Sequence, residues 1–408
     1  MNDNTLTTRL LRRDKVQFSK RMEYFGESIF ARLKNLKTEK ESSGATVVDL
    51  SIGTPNIPPA DHIIKALADA VCDKNNYIYA VSDLTELHQA VALWYQRRYE
   101  VELEPSEEVV SLLGSQEGLA HIALAIVDEG DVVLVPNPCY PIFADGPVLA
   151  GAKLEFMPLR KENDYVIDLK KIDEEVAKKA KLMIVSYPNN PTTATAPDSF
   201  YEELIAFAKK YNIIVLHDNA YSELIFEKDN KGKSFLSYPG AREVGVEFNS
   251  LSKTYGLAGG RIGFCIGNKE VVAMLTKLKS NIDYGMFIPL QKAAIAAITG
   301  DQQCVKDTRE AYRRRRDCFI TEFGKLGWII EPCPATMFVW TKIPDGFVSS
   351  QEFVEKMITQ AGVVMTPGSA FGELGEGYVR IALVQEESEI KKAAQQARQS
   401  GLFGMLGN

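Results

Sequence analysis

Residues 212–221 read NIIVLHDNAY, an apolar run that ends abruptly in polar residues. Such a short, continuous run of β-branched and aliphatic residues is typical of a strand buried on both faces of a parallel sheet. The preceding residues, SFYEELIAFAKKY (199–211), have the apolar spacing of an amphipathic helix. Because a helix that leads into a buried strand is half of a βαβ unit, this stretch predicts an α/β fold.

Further short apolar runs on both sides of this stretch extend the same pattern. Helical patterns such as ADHIIKALADAV (60–71) and TELHQAVALWYQRRY (85–99) precede them. We therefore expect a mainly parallel central sheet covered by helices. Its strands are expected at residues 131–136, 152–159, 181–188, 212–218, 243–252 and 261–267.

The chain changes character near residue 295. A long charged helical pattern (304–326) precedes the strand-like runs MFVWTKI (337–343) and YVRIALV (378–384). Helices grouped with alternating strands are typical of an α+β domain. We expect a large domain over residues 61–294, a smaller α+β domain over 295–408, and a segment 1–60 that forms an N-terminal arm and part of the smaller domain.

Composition and charge argue against several functional classes. The 408 residues carry a net charge of −7, whereas a nucleic-acid or anionic-membrane partner favours a basic surface, so we expect neither partner. The six cysteines form no C-x-x-C pair and the four histidines form no H-E-x-x-H motif, so we expect no metal site. Unpaired cysteines of this kind fit a reducing cytoplasm.

The ends of the expected strands carry the residues that suggest chemistry, because ligands of open α/β sheets bind beyond the carboxyl ends of the strands. Lys253 follows one strand within SLSKTYGLAGGRIGF (250–264), and Asp218 ends another. A lysine amine condenses with an aldehyde, and an aspartate can hold a pyridine nitrogen protonated, so pyridoxal phosphate (PLP) would use this pair. The polar strand-end residues are Tyr140, Asn190, Asp218, Tyr221, Ser250, Ser252 and Lys253.

Each of these residues also has an ordinary structural explanation. Taken alone, Lys253 is compatible with a turn lysine and Asp218 with a turn former at a strand end. Tyr140 and Tyr221 are compatible with core aromatics whose hydroxyls are satisfied. His217 is more typical of a packed core residue than of a catalyst, with orientation of Asp218 as a second possibility.

The order of four residues, Asn190, Asp218, Lys253 and Arg380, favours a functional interpretation. With the motifs PNNPT (188–192), HDNAY (217–221) and SLSK followed after seven residues by Arg261, it resembles fold type I PLP-dependent enzymes, specifically class I and II aminotransferases. The resemblance extends from DLSIGTPNIPP (49–59) to YVRIALV (378–384). Within that family the chain is most similar to bacterial alanine aminotransferases and LL-diaminopimelate aminotransferase-like enzymes.

The resemblance implies coenzyme roles for residues of this chain. Lys253 would form an imine with PLP and then move the substrate proton, while Asp218 would pair with the pyridine nitrogen. Asn190 and Tyr221 would hydrogen-bond the phenolate oxygen, and Tyr140 would stack on the ring. The phosphate would be bound by Ser250, Ser252, Arg261 and the GSQEG turn (114–118) at a helix start, with Ser115, Gln116 and Glu117.

The resemblance also implies how substrate and a second subunit would contribute. Arg380 would grip the substrate α-carboxylate with two parallel hydrogen bonds, which a lysine could not do equally well. Gly53 would let the backbone approach the substrate, and Asn190 would lie beside it. The family implies a homodimer with shared active sites, in which either Tyr77 or Tyr79 would reach the neighbouring subunit's phosphate.

The expected activity is PLP-dependent transamination between an L-amino acid and a 2-oxo acid by a ping-pong mechanism. Alanine and 2-oxoglutarate are the first choice, with LL-diaminopimelate, aromatic or methionine donors and a PLP-dependent lyase as alternatives. NIDYGMFIP (281–289) lacks the arginine of aspartate-specific relatives, which argues against aspartate. Thr193 and Asp83 stand where the family commonly has glycine, so the loop at Asp83 is expected to differ.

Overall fold

The structure is a computed structural model that describes residues 18–26, 29–227 and 232–404. Over these ranges, no helix combines the length and the apolar character needed to cross a bilayer. The strands are β1 (Val48–Asp49), β2 (Val109–Leu112), β3 (Val132–Asn137), β4 (Lys153–Pro158), β5 (Ala180–Ser186), β6 (Ile214–Asp218), β7 (Gly245–Ser250), β8 (Gly263–Gly267), β9 (Phe338–Lys342), β10 (Val363–Val364), β11 (Thr366–Pro367) and β12 (Tyr378–Ala382).

Seven of these strands form the central sheet of the large domain, in the order β2-β8-β7-β6-β5-β3-β4. Neighbouring strands are parallel except at β8, which is antiparallel to both β2 and β7. The prediction of an α/β fold with a mainly parallel central sheet is therefore confirmed. The six expected strands are present, and the carboxyl ends of β5, β6 and β7 lie side by side.

Helices cover both faces of this sheet because adjacent strand residues are apolar on opposite faces. Met183 packs in one core with Leu204, whereas its neighbour Leu182 packs in a second core with Ile122. The longer helices of the large domain are Asp61–Cys72, Thr85–Tyr99, Ser115–Ile126, Ile142–Leu149, Asp198–Tyr211, Lys269–Ile282 and Ile288–Thr299. Its short helices are Glu174–Ala177, Ala241–Val244 and Leu251–Thr254.

The sequence missed β2, the edge strand that extends the sheet beyond β8. Its run VVSL is short and contains a serine, so it lacks a clear apolar signal. Asp83 secures this strand, accepting hydrogen bonds from the Ser111 amide (2.8 Å) and hydroxyl (2.5 Å) and lying 2.9 Å from His88 Nε2. The aspartate that replaces a common glycine therefore ties the loop before helix Thr85–Tyr99 to the sheet.

The small domain combines an antiparallel sheet, in the order β11-β12-β9, with helices at both ends of the chain. Helix Ile29–Ser42 and β1 belong beside it, because β1 pairs in parallel with β10 at Val48 and Val363 and Leu33 packs in the same core. Most of the expected N-terminal arm, residues 1–17, lies outside the described residues. The side chains of the small domain pack in a third core, separate from the two cores of the large domain. The helices are Ile29–Ser42, Gln303–Gly324, Ser350–Lys356 and Glu387–Gln399, with a π-helical turn at Met357–Ala361.

Helix Ile288–Thr299 spans the expected boundary between the two domains, which stays a prediction. Residues 294 and 295 lie inside helix Ile288–Thr299, which is continuous. Ala293 and Ile298 of this helix share a core with Ile63 of the large domain. We therefore place the boundary after the helix, at Gly300.

Single-turn 3-10 helices occur at Lys20–Tyr24, Lys74–Asn76, Lys161–Asn163, Leu169–Lys171, Phe235–Ser237, Ala258–Gly260, Gly368–Phe371 and Glu373–Gly375.

Candidate active site

A cavity of about 410 Å³ lies at the carboxyl ends of the central strands, where the small domain meets the large one. All of the site residues expected from the sequence line it, with the exception of Glu117. A larger cavity of about 670 Å³, between Lys161 and Trp340, contains none of them. The lining residues of the first cavity are Ile52, Gly53, Thr54, Ser115, Gln116, Leu119, Tyr140, Asn190, Asp218, Ala220, Tyr221, Ser250, Ser252, Lys253, Arg261, Phe338 and Arg380.

Lys253 reaches the cavity from the four-residue helix Leu251–Thr254, which directly follows β7. Ser250 caps this helix, since its Oγ accepts a hydrogen bond from the Ser252 amide at 3.2 Å. Lys253 Nζ donates to the Gly53 carbonyl at 3.0 Å, which holds the amine at the boundary of the two domains. Burial, together with the positive charges of Arg380 and Arg261, lowers the pKa of Lys253 to about 8. The amine can therefore lose its proton near neutral pH and act as a nucleophile or base.

Asp218 ends β6 and is buried on the cavity wall. The Ala220 amide donates to its carboxylate, but Asp218 Oδ1 has no partner among the described residues. Burial raises the pKa of Asp218 to about 6. A buried carboxylate oxygen without a donor is costly, so the site fits a ligand that brings a positively charged N–H group. The protonated pyridine nitrogen of PLP is such a group.

The start of helix Ser115–Ile126 and the turn before β8 form a cradle for an anion. Gly114, at φ 81°, precedes the helix, and a Cβ at this position would lie 2.7 Å from Arg261 Cζ. A Cβ on Gly263 would lie 2.5 Å from the Ser115 amide nitrogen. The two glycines therefore bring a guanidinium and the N-terminus of a twelve-residue helix together, and Ser252 lines the same cavity. Amides at a helix start and an arginine suit a phosphate group.

Two tyrosines supply protonated phenols to the cavity. The Tyr140 hydroxyl donates to Gln116 Oε1 at 2.8 Å, which orients the ring next to the anion cradle. Tyr221 is buried, and its ring packs edge-on against Phe338 with the centroids 5.8 Å apart. Burial raises the pKa of both phenols, so each remains a hydrogen-bond donor at neutral pH.

Arg380 is a buried guanidinium that the small domain presents to the cavity on β12. Its Nη1 donates to Asn190 Oδ1 at 2.8 Å and its Nη2 to the Ser51 carbonyl at 3.2 Å, whereas Nε lacks a partner among the described residues. Burial lowers the pKa of Arg380 to about 10. Neither of its hydrogen-bond partners carries a charge, so this buried cation is suited to bind an anionic ligand.

The coenzyme contact expected of Glu117 stays a prediction, and its side chain does not line the cavity. Its carboxylate turns away from the cavity, accepting hydrogen bonds from the Leu113 amide (3.0 Å) and Lys279 Nζ (2.9 Å) and lying 2.8 Å from His121 Nδ1. Glu117, His121 and Asp283 converge like metal ligands, but the Lys279 ammonium already lies between Glu117 and Asp283. The side chains of residues 115 and 117 point in different directions, because positions two apart on a helix do not share a face.

His217 does not orient Asp218, although the two residues are adjacent. Its Nδ1 lies 3.1 Å from Glu247 Oε2 and its Nε2 lies 3.4 Å from the Tyr201 hydroxyl. Successive strand residues point to opposite faces of a sheet, so His217 packs in the core behind Asp218. The interpretation of His217 as a packed core residue is confirmed.

Several cavity residues were missed by the sequence reasoning. Phe338 is the first residue of β9, and its ring would be 2.7 Å from a Cβ on Gly53, which explains why that position suits glycine. Leu119 lies one turn after Ser115 on the same helix, so helical spacing could have identified it. Ile52 and Thr54 flank Gly53 in an irregular segment, where sequence gave no orientation.

The fold and this site together define a fold type I PLP-dependent enzyme. An amine with a lowered pKa, a carboxylate lacking a donor, an anion cradle and a buried arginine are the groups that the coenzyme and an amino acid require. The chain belongs to the family "aminotransferase class I and II", whose model matches residues 45–396. The protein is accordingly a PLP-dependent aminotransferase.

Individual relatives agree with this assignment. The chain is 43% identical over 384 residues to a protein named LL-diaminopimelate aminotransferase from Moorella thermoacetica, covering 94% of this chain and 98% of the relative. It is 42% identical over 368 residues to glutamate-pyruvate aminotransferase AlaC from Escherichia coli, covering 90% and 89%. Substrate-bound BacF from Bacillus subtilis has a similar structure, with a TM-score of 0.90, 35% identity and coverage of 94% and 98%.

Proposed function

We propose that the protein transfers amino groups between L-alanine and 2-oxoglutarate by a ping-pong mechanism. The observation that carries this choice is the distribution of charge around the cavity. Among the described lining residues, the cations are Lys253, Arg261 and Arg380. Since the first two serve the coenzyme and the third serves the α-carboxylate, a substrate side chain meets neutral residues such as Ile52 and Phe338. The methyl group of alanine fits these surroundings without a charged partner, whereas the distal carboxylate of 2-oxoglutarate needs neutral hydrogen-bond donors.

The coenzyme, when bound, supplies an electrophilic carbon and a ring that accepts the electron pair from the substrate Cα. Asp218 Oδ1 would pair with the ring nitrogen and keep it protonated. Asn190 and Tyr221 would donate to the phenolate oxygen, and Tyr140 would pack on the ring. Lys253 Nζ, at its lowered pKa, would take the proton from the substrate Cα and return it to the coenzyme side.

Binding of phosphate and substrate would use the remaining lining residues. Ser115 and Gln116 would contribute backbone amides at the helix start, and Ser250, Ser252 and Arg261 would complete the phosphate site. Arg380 would bind the α-carboxylate next to Gly53. The distal carboxylate of 2-oxoglutarate would meet neutral donors, among them the Gln116 amide, whose carbonyl oxygen is engaged by Tyr140.

LL-diaminopimelate is the second candidate, because relatives at 42–45% identity carry that activity in their names. Purified holoenzyme should be mixed with single amino acids while the absorbance of the bound coenzyme is followed. A fast response to L-alanine with none to LL-diaminopimelate supports the proposal. The reverse result would replace alanine by LL-diaminopimelate as the donor.

We also propose that the protein acts as a homodimer. Tyr79, Val81 and Tyr284 expose a contiguous apolar surface, in which Tyr79 is 83% exposed and its ring centroid lies 6.0 Å from that of Tyr284. Surfaces of this kind often mark protein interfaces. The Tyr77 hydroxyl is already bound to the Val71 carbonyl at 2.8 Å, which leaves Tyr79 as the better candidate for the neighbouring subunit's phosphate.

Light scattering of Val81→Glu and Val348→Glu variants tests the dimer. The two valines are 70% and 94% exposed, but only Val81 lies in the apolar surface. We expect a dimeric, active protein for the wild type and for Val348→Glu, and an inactive monomer for Val81→Glu. A fully active wild-type monomer would contradict the proposal.

The free state of the six cysteines supports the cytoplasm as the proposed location.

A further inference from the structure

The guanidinium of Arg380 contacts two aromatic rings. Its Cζ is 4.1 Å from the ring centroid of Phe338 and 4.5 Å from that of Phe371. Both rings come from the small domain, Phe338 on β9 and Phe371 at the end of the 3-10 helix Gly368–Phe371. The two aromatic contacts restrict the plane of the guanidinium, while Asn190 and Ser51 accept hydrogen bonds from its terminal nitrogens.

The two rings differ in what else they can contact. Phe338 lines the cavity, so it can also touch a substrate directly. Phe371 is buried and does not line the cavity. Besides Arg380, the Phe371 ring contacts Trp340, with the ring centroids 6.1 Å apart. An effect of Phe371 on ligand binding would therefore pass through Arg380.

The backbone around Phe371 is held by the large domain. The Phe371 carbonyl accepts a hydrogen bond from the Cys139 amide at 2.8 Å. Three residues later, the Leu374 amide donates to Asn137 Oδ1 at 3.3 Å. Gly372, at φ 124°, permits this contact, because a Cβ there would collide with Asn137 Oδ1. The backbone that carries the ring is thus held at the end of β3.

We propose that Phe371 is a positioning residue that holds the Arg380 guanidinium in the plane required to bind a substrate carboxylate. This inference rests on the proposed role of Arg380 in the alanine–2-oxoglutarate reaction. A two-point hydrogen bond to a carboxylate needs both groups in one plane, and a guanidinium free to tilt would lose one of the two bonds. Phe371 affects affinity for carboxylates and leaves the chemical step to the residues around Lys253.

The test compares holoenzyme of the wild type with Phe371→Leu, which removes the ring, and Phe371→Tyr, which keeps it. Phe156→Leu is the matched control, since Phe156 is an exposed phenylalanine on β4 and lies outside the cavity. Propionate, a carboxylate without an amino group, is titrated by calorimetry. The half-reaction with L-alanine is then followed at increasing concentration, and melting temperature and coenzyme affinity report on the fold.

We expect Phe371→Leu to bind propionate about tenfold more weakly and to need about tenfold more alanine for half-maximal rate, as expected for the loss of a desolvated cation–π contact. Its limiting rate and coenzyme affinity should match the wild type. Phe371→Tyr should restore carboxylate binding, and Phe156→Leu should behave as wild type. Unchanged propionate affinity in Phe371→Leu, or a loss confined to the limiting rate, would overturn the inference.

Failure of this inference and failure of the proposed function are distinguishable. If alanine gives no reaction while Phe371→Leu still weakens propionate binding, the choice of substrate is wrong and the role of Phe371 stands. If alanine reacts as proposed and propionate binds both proteins equally, the substrate assignment stands and Phe371 has only a structural role.

Discussion

Arg380 Nη1 donates to Asn190 Oδ1 across 2.8 Å, and this bond joins the small domain to the loop that follows β5 of the large domain. The same guanidinium bonds to the Ser51 carbonyl at 3.2 Å. Both neighbours are neutral acceptors, so they orient the cation without neutralising it. Arg380 therefore remains available to pair with an anion at the point where the two domains meet.

Replacement of Arg380 by lysine tests this role. Lysine keeps the charge but loses the planar pair of donors, so we expect kcat/KM for alanine to fall about 100-fold, mainly through KM. Steady-state kinetics of Arg380→Lys would measure the effect. Arg314→Lys is the matched control, because Arg314 forms an exposed ion pair with Glu387. Equal kcat/KM for wild type and Arg380→Lys would show that the carboxylate binds elsewhere.

Asp218→Asn removes the negative charge that the unpartnered Oδ1 presents to the cavity. An amide cannot balance a protonated ring nitrogen, and we expect kcat to fall roughly 100-fold or more. Stopped-flow rates of the alanine half-reaction, with coenzyme content measured in parallel, check this. Asp128, whose side chain is 95% exposed, provides the control variant Asp128→Asn. If Asp218→Asn reacts at the wild-type rate, the ring nitrogen is not at this carboxylate.

Gly114→Ala tests the anion cradle. An added Cβ would lie 2.7 Å from Arg261 Cζ and would force the guanidinium away from the helix start. We expect about tenfold weaker coenzyme binding, in addition to about 1 kcal/mol of lost stability from the alanine at positive φ. Gly130→Ala is a close control, since Gly130 has φ 90° and nothing within 4 Å of its added Cβ. Equal coenzyme affinity in the two variants would argue against the cradle.

The lowered pKa of Lys253 predicts a pH dependence in the coenzyme-free protein. The neutral amine is the nucleophile, so attachment of PLP should reach half its limiting rate near pH 8, whereas an ordinary lysine has a pKa of 10.5. Between these values the unfolded chain binds a proton that the folded chain lacks, so burial of this amine destabilises the fold at low pH and the destabilisation decreases as pH rises from about 8 to 10.5. Attachment rates followed by absorbance, with Lys253→Met as the blank, check the first point; half-saturation above pH 10 would contradict it.

The sequence predicted which candidate site residues line one cavity, because their positions follow from strand ends. Lys253, Asp218 and Asn190 come directly after buried apolar runs, and parallel strands bring their carboxyl ends to one edge of the sheet. The mainly parallel sheet could be predicted for the same reason. By contrast, β2 was not predicted, since its four residues show little hydrophobic periodicity. Its position in the sheet depends on the hydrogen bond between Asp83 and Ser111.

Side-chain direction was harder to predict than position along the chain. Glu117 and His217 lie next to site residues in sequence, yet each points into a separate polar network. The helix and strand periods explain both outcomes once the element boundaries are known. Phe371 could not be anticipated, because its contact with Arg380 depends on a loop held by the other domain.

We propose that the coenzyme is held covalently by the Lys253 amine, with Asp218 facing its ring nitrogen. Borohydride reduction of the holoenzyme, followed by digestion and mass spectrometry, locates the lysine that carries the coenzyme. We expect the added mass on the peptide that contains Lys253. The Lys253→Ala variant should give no labelled peptide and should fail to transfer amino groups. A label on a different lysine, or undiminished amino-group transfer by Lys253→Ala, would contradict it.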